Sequence, residues 1–286
     1  MMVYLKCFNL LSEDYESGLL INERRTYFHN QYPFRIFPKK EFKDIKFSDV
    51  TILYGGNGSG KSTILNIIAN KLNCDGSFEV HGEMMMKYLE HCKFETSMEY
   101  FEEAKIIRSD DVFDYISNVR RINNRGFSQR EMLFREYFDN KDKTIDDMND
   151  YQNLKNSIDA KRKSASNYVR NRVLDKDVKE QSNGEAALMY FVSEIKENSL
   201  YLLDEPENSM SAAMQLKLTK FLEESARFFN CQFIIATHSP FLLGMNGAII
   251  YDLDSVPVTN KNFWDLENMK LYYDFFKQNS AKFEQK

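Results

Sequence analysis

Gly55-Gly56-Asn57-Gly58-Ser59-Gly60-Lys61-Ser62 constrains what this chain can fold into more than any other stretch. It fits G-x-x-x-x-G-K-[ST]. It follows the apolar run Val50-Thr51-Ile52-Leu53-Tyr54 and precedes Thr63 to Leu72, which has helical character. Strand, glycine-rich loop and helix in that order is the context in which this pattern binds phosphate. The glycines let the backbone curl so that successive N–H groups point inward, and the helix N-terminus adds favourable partial charge. Lys61 is expected to reach the β- and γ-phosphates and Ser62 to ligate Mg²⁺.

Composition narrows the class. The chain has 286 residues, 43% hydrophobic and 14% aromatic, enough for a substantial core. A net charge of −5 argues against a general polyanion binder while leaving room for local basic patches. Cys7, Cys74, Cys92 and Cys231 form no C-x-x-C pair, which argues against a structural zinc or a disulfide framework and fits a reducing, cytoplasmic setting. Lys6 and Asn9 interrupt any signal-peptide apolar region. No run approaches the ~20 apolar residues that span a bilayer, so no membrane segment is expected.

The pattern along the chain is α/β. Val3–Phe8 reads as an edge or antiparallel strand, a polar stretch near Ser12–Ser17 interrupts it, and the prolines of Tyr32–Pro38 favour extended chain. From Lys87 to Lys179 glycine nearly vanishes, and apolar residues recur at helical spacing (Met132, Leu133, Phe134, Tyr137, Phe138). A mainly helical insertion over 87–180 is expected, with a discontinuous core of 1–86 and 181–286. The insertion carries a basic stretch from Lys161 to Arg172, either a solvated helix face or a surface for a phosphate backbone or acidic partner. Strand and helix then alternate: helix Glu185–Lys196, strand Ser199–Leu203, amphipathic helix Ser211–Phe229, strands Phe233–Thr237 and Ala248–Tyr251, and helix Trp264–Lys277. That alternation predicts a mainly parallel sheet covered on both faces, with an antiparallel edge.

Three further elements complete a nucleotide site. Leu200-Tyr201-Leu202-Leu203 is an apolar strand ending in Asp204-Glu205. Asp204 is expected to hold Mg²⁺ and Glu205 to act as general base toward the attacking water. Thr237-His238-Ser239-Pro240 follows another apolar strand and places an imidazole where it can meet the γ-phosphate. Gln181-Ser182-Asn183-Gly184-Glu185 precedes a helix. Ser182 and Glu185 could form a capping box, or the helix N-terminus could face the γ-phosphate of a second subunit.

In that order these elements resemble an ABC-type ATPase. Gln181–Glu185 is similar to the signature of the non-transporter branch, which includes chromosome-maintenance (SMC-type) and RecF-like ATPases. More closely, Tyr32-Pro33-Phe34, Gly55–Thr63, Gln181–Glu185, Leu202–Glu207, Phe233–Pro240 and Trp264–Phe276 resemble small stand-alone bacterial AAA-family ATPases of the ABC class. The resemblance implies a P-loop NTPase fold of ABC-ATPase type. It places ATP on Gly55, Asn57, Gly58, Ser59, Gly60, Lys61, Ser62 and Thr63, with Ser182 and Gly184 contributed across an ATP-sandwiched homodimer. Glu205 and His238 are implied as catalytic base and γ-phosphate switch, with Lys61 on the phosphates. Gln129 is the candidate for the family's metal-contacting glutamine, with an exposed loop residue as the alternative. Tyr32 and Phe34 are candidates for stacking on adenine, or core residues. Ser211 stands where transporter subunits carry aspartate.

The functional expectation is an ATP- and Mg²⁺-dependent switch for nucleic-acid maintenance or for a defence or repair effector, including antiviral defence. The alternatives are the ATPase subunit of a transporter and a slow-turnover regulatory protein. At ~1.5 Å rise per residue, an insertion of about 90 residues that must return on itself is too short for a long coiled-coil arm.

Overall fold

The computed structural model describes residues 3–22, 32–77, 83–97, 102–123, 136–138 and 183–283. Two sheets organise them. The larger has six strands in the order β5-β6-β7-β3-β8-β9: Glu103–Arg108, Ser199–Asp204, Gln232–Ala236, Val50–Tyr54, Ile249–Asp252 and Thr259–Asn260. All its pairings are parallel except β8 with β9. The smaller sheet is antiparallel, order β2-β1-β4: Asp44–Lys46, Leu5–Asn9 and Lys93–Thr96. This is the mainly parallel α/β sheet with an antiparallel edge that the sequence implied.

Alternating side chains of the central strands feed two cores. Val50, Ile52 and Tyr54 of β3, Tyr201 and Leu203 of β6, and Phe233 and Ile235 of β7 enter one cluster. Leu53, Leu200, Leu202, Ile234 and Ala236 enter the other. A strand buried on both faces must be apolar at nearly every position, hence the uninterrupted runs. Helices α4 (Ser109–Asn123), α5 (Asn183–Glu194) and α6 (Ala212–Phe228) supply the first cluster. Helices α2 (Lys61–Lys71) and α3 (Glu83–His91) and the antiparallel sheet supply the second.

Gln232, fully buried at the start of β7, ties the two sheets together. Its Oε1 accepts from the Tyr4 and Leu5 backbone N–H groups at 2.9 and 2.8 Å. Its Nε2 donates to the Leu5 and Ser48 carbonyls, each at 2.9 Å. Gln232→Leu is nearly isosteric but removes the partner of three buried backbone groups and one part-buried one. It is expected to lower stability by about 2–3 kcal/mol, read as a fall in the urea midpoint at unchanged slope.

Several expectations change. The polar stretch after β1 is helix α1 (Glu13–Asn22), whose first turn carries Glu13, Asp14 and Glu16 at the end that favours negative charge. Tyr32–Pro38 is not extended. It turns, with Arg35 at φ 63°, and leads into a 3₁₀ turn at Pro38–Lys40. The reason is burial of Phe34 and Phe37, which fold the segment over the glycine loop. Within 87–180, Lys93–Thr96 and Glu103–Arg108 are not helical: β4 lies in the antiparallel sheet and β5 in the parallel one. Charged Glu102, Glu103, Lys105 and Arg108 masked the strand character of Ala104, Ile106 and Ile107. The basic stretch Lys161–Arg172 lies outside the described residues. Among the described residues, no helix is long and apolar enough to cross a membrane.

Candidate nucleotide site

Parallel strands end at a common edge, and here that edge gathers the loops after β3, β6, β7 and β8. The loop after β3 turns tightly. Gly60, at φ 103°, begins α2, and a Cβ there would stand 3.2 Å from the Phe37 ring. A Cβ on Gly55 would lie 2.6 Å from Ser59 Oγ. Only glycine fits either place. Lys61 is buried, and its Nζ donates to the Gly55 and Gly56 carbonyls at 2.8 and 3.1 Å. The loop's own carbonyls therefore hold the ammonium at the mouth of a cavity of ≈ 370 Å³ lined by Ile36, Asn57–Thr63 and Glu205. Ser59 Oγ is buried there with no protein hydrogen-bond partner, a group suited to an incoming ligand oxygen.

Ser62 Oγ donates to Asp204 Oδ1 at 3.0 Å, joining α2 to the end of β6. The pair presents two hard oxygen donors at the edge of the phosphate loop, the donor set Mg²⁺ takes. Burial holds the Asp204 carboxyl above its usual range and the Glu205 charge pushes the same way; donation from Ser62 and the charges of Arg108 and Lys61 pull it back. An acid raised by folding adds stability when protonated at low pH, and that stability is lost as pH rises through its folded-state pKa. At neutral pH the ionised group thus costs the metal-free fold something. Asp204→Asn keeps an acceptor for Ser62 and removes that charge. We expect it to melt roughly 2–4 °C higher than wild type in EDTA, and to lose the further Mg²⁺-dependent rise that wild type shows with ATP.

Glu205 sits in left-handed backbone conformation at φ 48°, its N–H bonded to the Ala236 carbonyl at 2.9 Å. This turn directs its carboxylate into the cavity, with Oε1 4.0 Å from Lys61 Nζ and Oε2 accepting from Asn208 Nδ2 at 3.2 Å. His238 Nδ1 lies 3.8 Å from Glu205 Oε1. The structure therefore brings Lys61, Ser62, Asp204, Glu205 and His238 together.

Gly184 lies elsewhere. A Cβ on it would meet Met214 at 3.3 Å and the Ser209 carbonyl at 3.5 Å, so the start of α5 is packed on the turn that follows Glu205, and Gly184 does not line the cavity. Ser182 and Gln129 lie outside the described residues. Phe34 is buried edge-on against Tyr88 with ring centroids 5.2 Å apart, so it serves the core and has no free face for a base. Ile36, by contrast, lines the cavity.

Three residues here escaped the sequence reading. Asp254 Oδ2 accepts from the Gly56 N–H at 2.8 Å, bracing the loop from the end of β8. Arg108 pairs with Asp204 in strand register, and its guanidinium donates to the Gly76 carbonyl at 2.6 Å and to Asn66 Oδ1 at 2.8 Å, one helical turn beyond Ser62. Buried Glu207 accepts from Thr237 Oγ1 and the His238 N–H. An acid just past a predicted strand end was the available signal for Asp254. For the other two, sheet order had to be known.

A parallel sheet whose carboxyl edge carries a glycine loop, a lysine, a serine–aspartate pair and a glutamate defines a P-loop nucleotide-binding domain. Residues 43–208 match the family described as "ABC transporter", and the chain belongs to that family of ABC-type ATPase domains. Residues 179–244 match the family described as "AAA domain, putative AbiEii toxin, Type IV TA system". No curated protein matches the chain. Solved structures with similar architecture include the SMC head domain from Thermotoga maritima, 16% identical, covering 87% of this chain and 94% of its own, TM-score 0.44. The Smc head domain of Pyrococcus furiosus bound to the C-terminal domain of ScpA is 13% identical, covering 96% and 100%, TM-score 0.44. A third is cbiO1 from Clostridium perfringens, part of the ABC transporter complex cbiONQ, 18% identical, covering 85% and 88%, TM-score 0.39.

Proposed function

We propose that this ABC-type ATPase hydrolyses ATP with Mg²⁺ as a sandwiched homodimer, and acts as a switch on nucleic acid or on a defence or repair effector. The carrying observation is that Lys61, Ser62 and Glu205 line one cavity, with Asp204 bonded to Ser62 and His238 beside Glu205, while Gly184 is packed against Met214 and the Ser209 carbonyl outside that lining. A second chain is then the source of a helix N-terminus for the γ-phosphate. In this reading the loop amides and Lys61 bind the phosphates, Ser62 and Asp204 would hold the metal, and Glu205 takes the proton of the attacking water. Bound Mg²⁺ would supply charge compensation on the β- and γ-phosphate oxygens. Residues 181–185 and Ser211, which depart from the transporter pattern, support a role outside transport. The match of residues 179–244 to a family described by a toxin system supports the defence direction.

The test is ATP turnover and solution mass of the purified protein, alone and with double-stranded DNA, single-stranded DNA or RNA. ATP-dependent dimers whose turnover rises with one nucleic acid support the switch. Dimers indifferent to all three point to a protein effector. Persistent monomers with ATP and Mg²⁺ overturn the sandwich, and co-purification with a membrane protein would favour a transporter subunit.

A further inference from the structure

Glu207 lies two residues beyond the glutamate assigned as base, and the chemistry assigned above does not use it. It is 4% exposed. Its Oε1 accepts from Thr237 Oγ1 at 2.6 Å and from the His238 backbone N–H at 3.1 Å, and stands 3.6 Å from His238 Nδ1. Its Oε2 is buried with no protein hydrogen-bond partner. A buried carboxylate is costly to keep, and apolar or small side chains would pack this turn without that cost. The surroundings hold it firmly: Thr237 Oγ1 also accepts from the Ser239 N–H at 3.0 Å, and Ser239 Oγ donates to Gln215 Oε1 on α6 at 2.7 Å. One short network thus ties the turn after β6 to the loop after β7 and to α6.

We infer that Glu207 is the positioning residue of His238, fixing both where the imidazole sits and which ring nitrogen carries the proton. Nδ1 faces carboxylate oxygens of Glu207 and Glu205 at 3.6 and 3.8 Å. The two negative charges on that side, acting through space, favour the proton on Nδ1 and leave Nε2 as the unprotonated nitrogen, placed to accept a proton at the phosphate. Because Glu205 and Glu207 flank the same imidazole edge, movement of the base is felt by the switch and the reverse. The inference rests on the reading of His238 as the residue that meets the γ-phosphate.

Glu207→Gln keeps acceptor capacity for Thr237 and the His238 N–H but removes the charge facing Nδ1. We expect ¹⁵N NMR of the imidazoles to show His238 moving from the Nδ1–H toward the Nε2–H pattern, the signal being assigned among the chain's four histidines by its loss in His238→Asn. Turnover is expected to fall roughly tenfold with nucleotide affinity unchanged, and Glu207→Gln is expected to add nothing in a His238→Ala background. Thr237→Val, which releases one anchor of the carboxylate, is expected to give the same spectral change in weaker form and serves if Glu207→Gln does not fold. An unchanged His238 tautomer in the folded variants, or the same loss of turnover with and without His238, overturns the inference. A wild type that hydrolyses no ATP would overturn the proposed function instead, and the tautomer would still decide the role of Glu207.

Discussion

Glu205→Gln is expected to slow ATP hydrolysis by roughly 10²–10⁴-fold while leaving ATP bound. The amide cannot take a proton from water, yet the groups that would hold the nucleotide and metal (Lys61, Ser62, Asp204) are untouched. Glutamine tolerates the left-handed backbone at this position about as glutamate does, and Asn208 keeps an oxygen to donate to. The substitution also removes a charge that disfavours ionised Asp204, which favours metal binding. The variant should therefore accumulate an ATP-bound state. Light scattering after gel filtration with ATP and Mg²⁺ is expected to give twice the protomer mass, and the wild type a smaller share of that species. A variant that hydrolyses normally would mean the base lies elsewhere.

Lys61→Ala is expected to weaken ATP binding roughly a thousandfold, the loss of about two charge-assisted hydrogen bonds to phosphate. The loop itself places the ammonium, since the Gly55 and Gly56 carbonyls hold it in a buried position. Little ordering cost remains when phosphates arrive, so its removal should appear almost wholly in affinity. Lys61→Arg is expected to rescue poorly, because a planar guanidinium does not present its donors as the compact ammonium does to both carbonyls and the phosphates. Titration calorimetry reads both variants. Retained micromolar affinity in Lys61→Ala would contradict the phosphate-loop assignment.

What could be read from the sequence follows from how locally each feature is determined. Gly55–Ser62 is legible because only glycine meets the steric demand beside Phe37 and Ser59, and only certain side chains serve phosphate and metal. Asp204-Glu205 and His238 stand out because each ends a strand apolar on both faces. Helix α1 was hidden because its polar first turn stabilises a helix end instead of marking a loop, and β5 because its charges sit at a sheet edge. Arg108, Asp254 and Glu207 depend on which strands become neighbours. The order β5-β6-β7-β3-β8 follows from packing between distant segments, and no short stretch states it. Phe34 looked available to a base because burial cannot be told from exposure in an aromatic flanked by proline and arginine.

The placement of β3 has a consequence for how the chain is made. Its two neighbours come late in synthesis: Val50 pairs with Phe233, and Thr51 with Ile249. A ribosome that has released the first two hundred residues has produced the whole glycine loop but neither strand that flanks it. Closing such distant contacts is slow, and until then the loop has no rigid edge to hang from. Nucleotide stabilises only a chain that already has a site for it. ATP can therefore protect the finished molecule, but it cannot help the nascent one, which must reach its C-terminal strands unaided or with a chaperone.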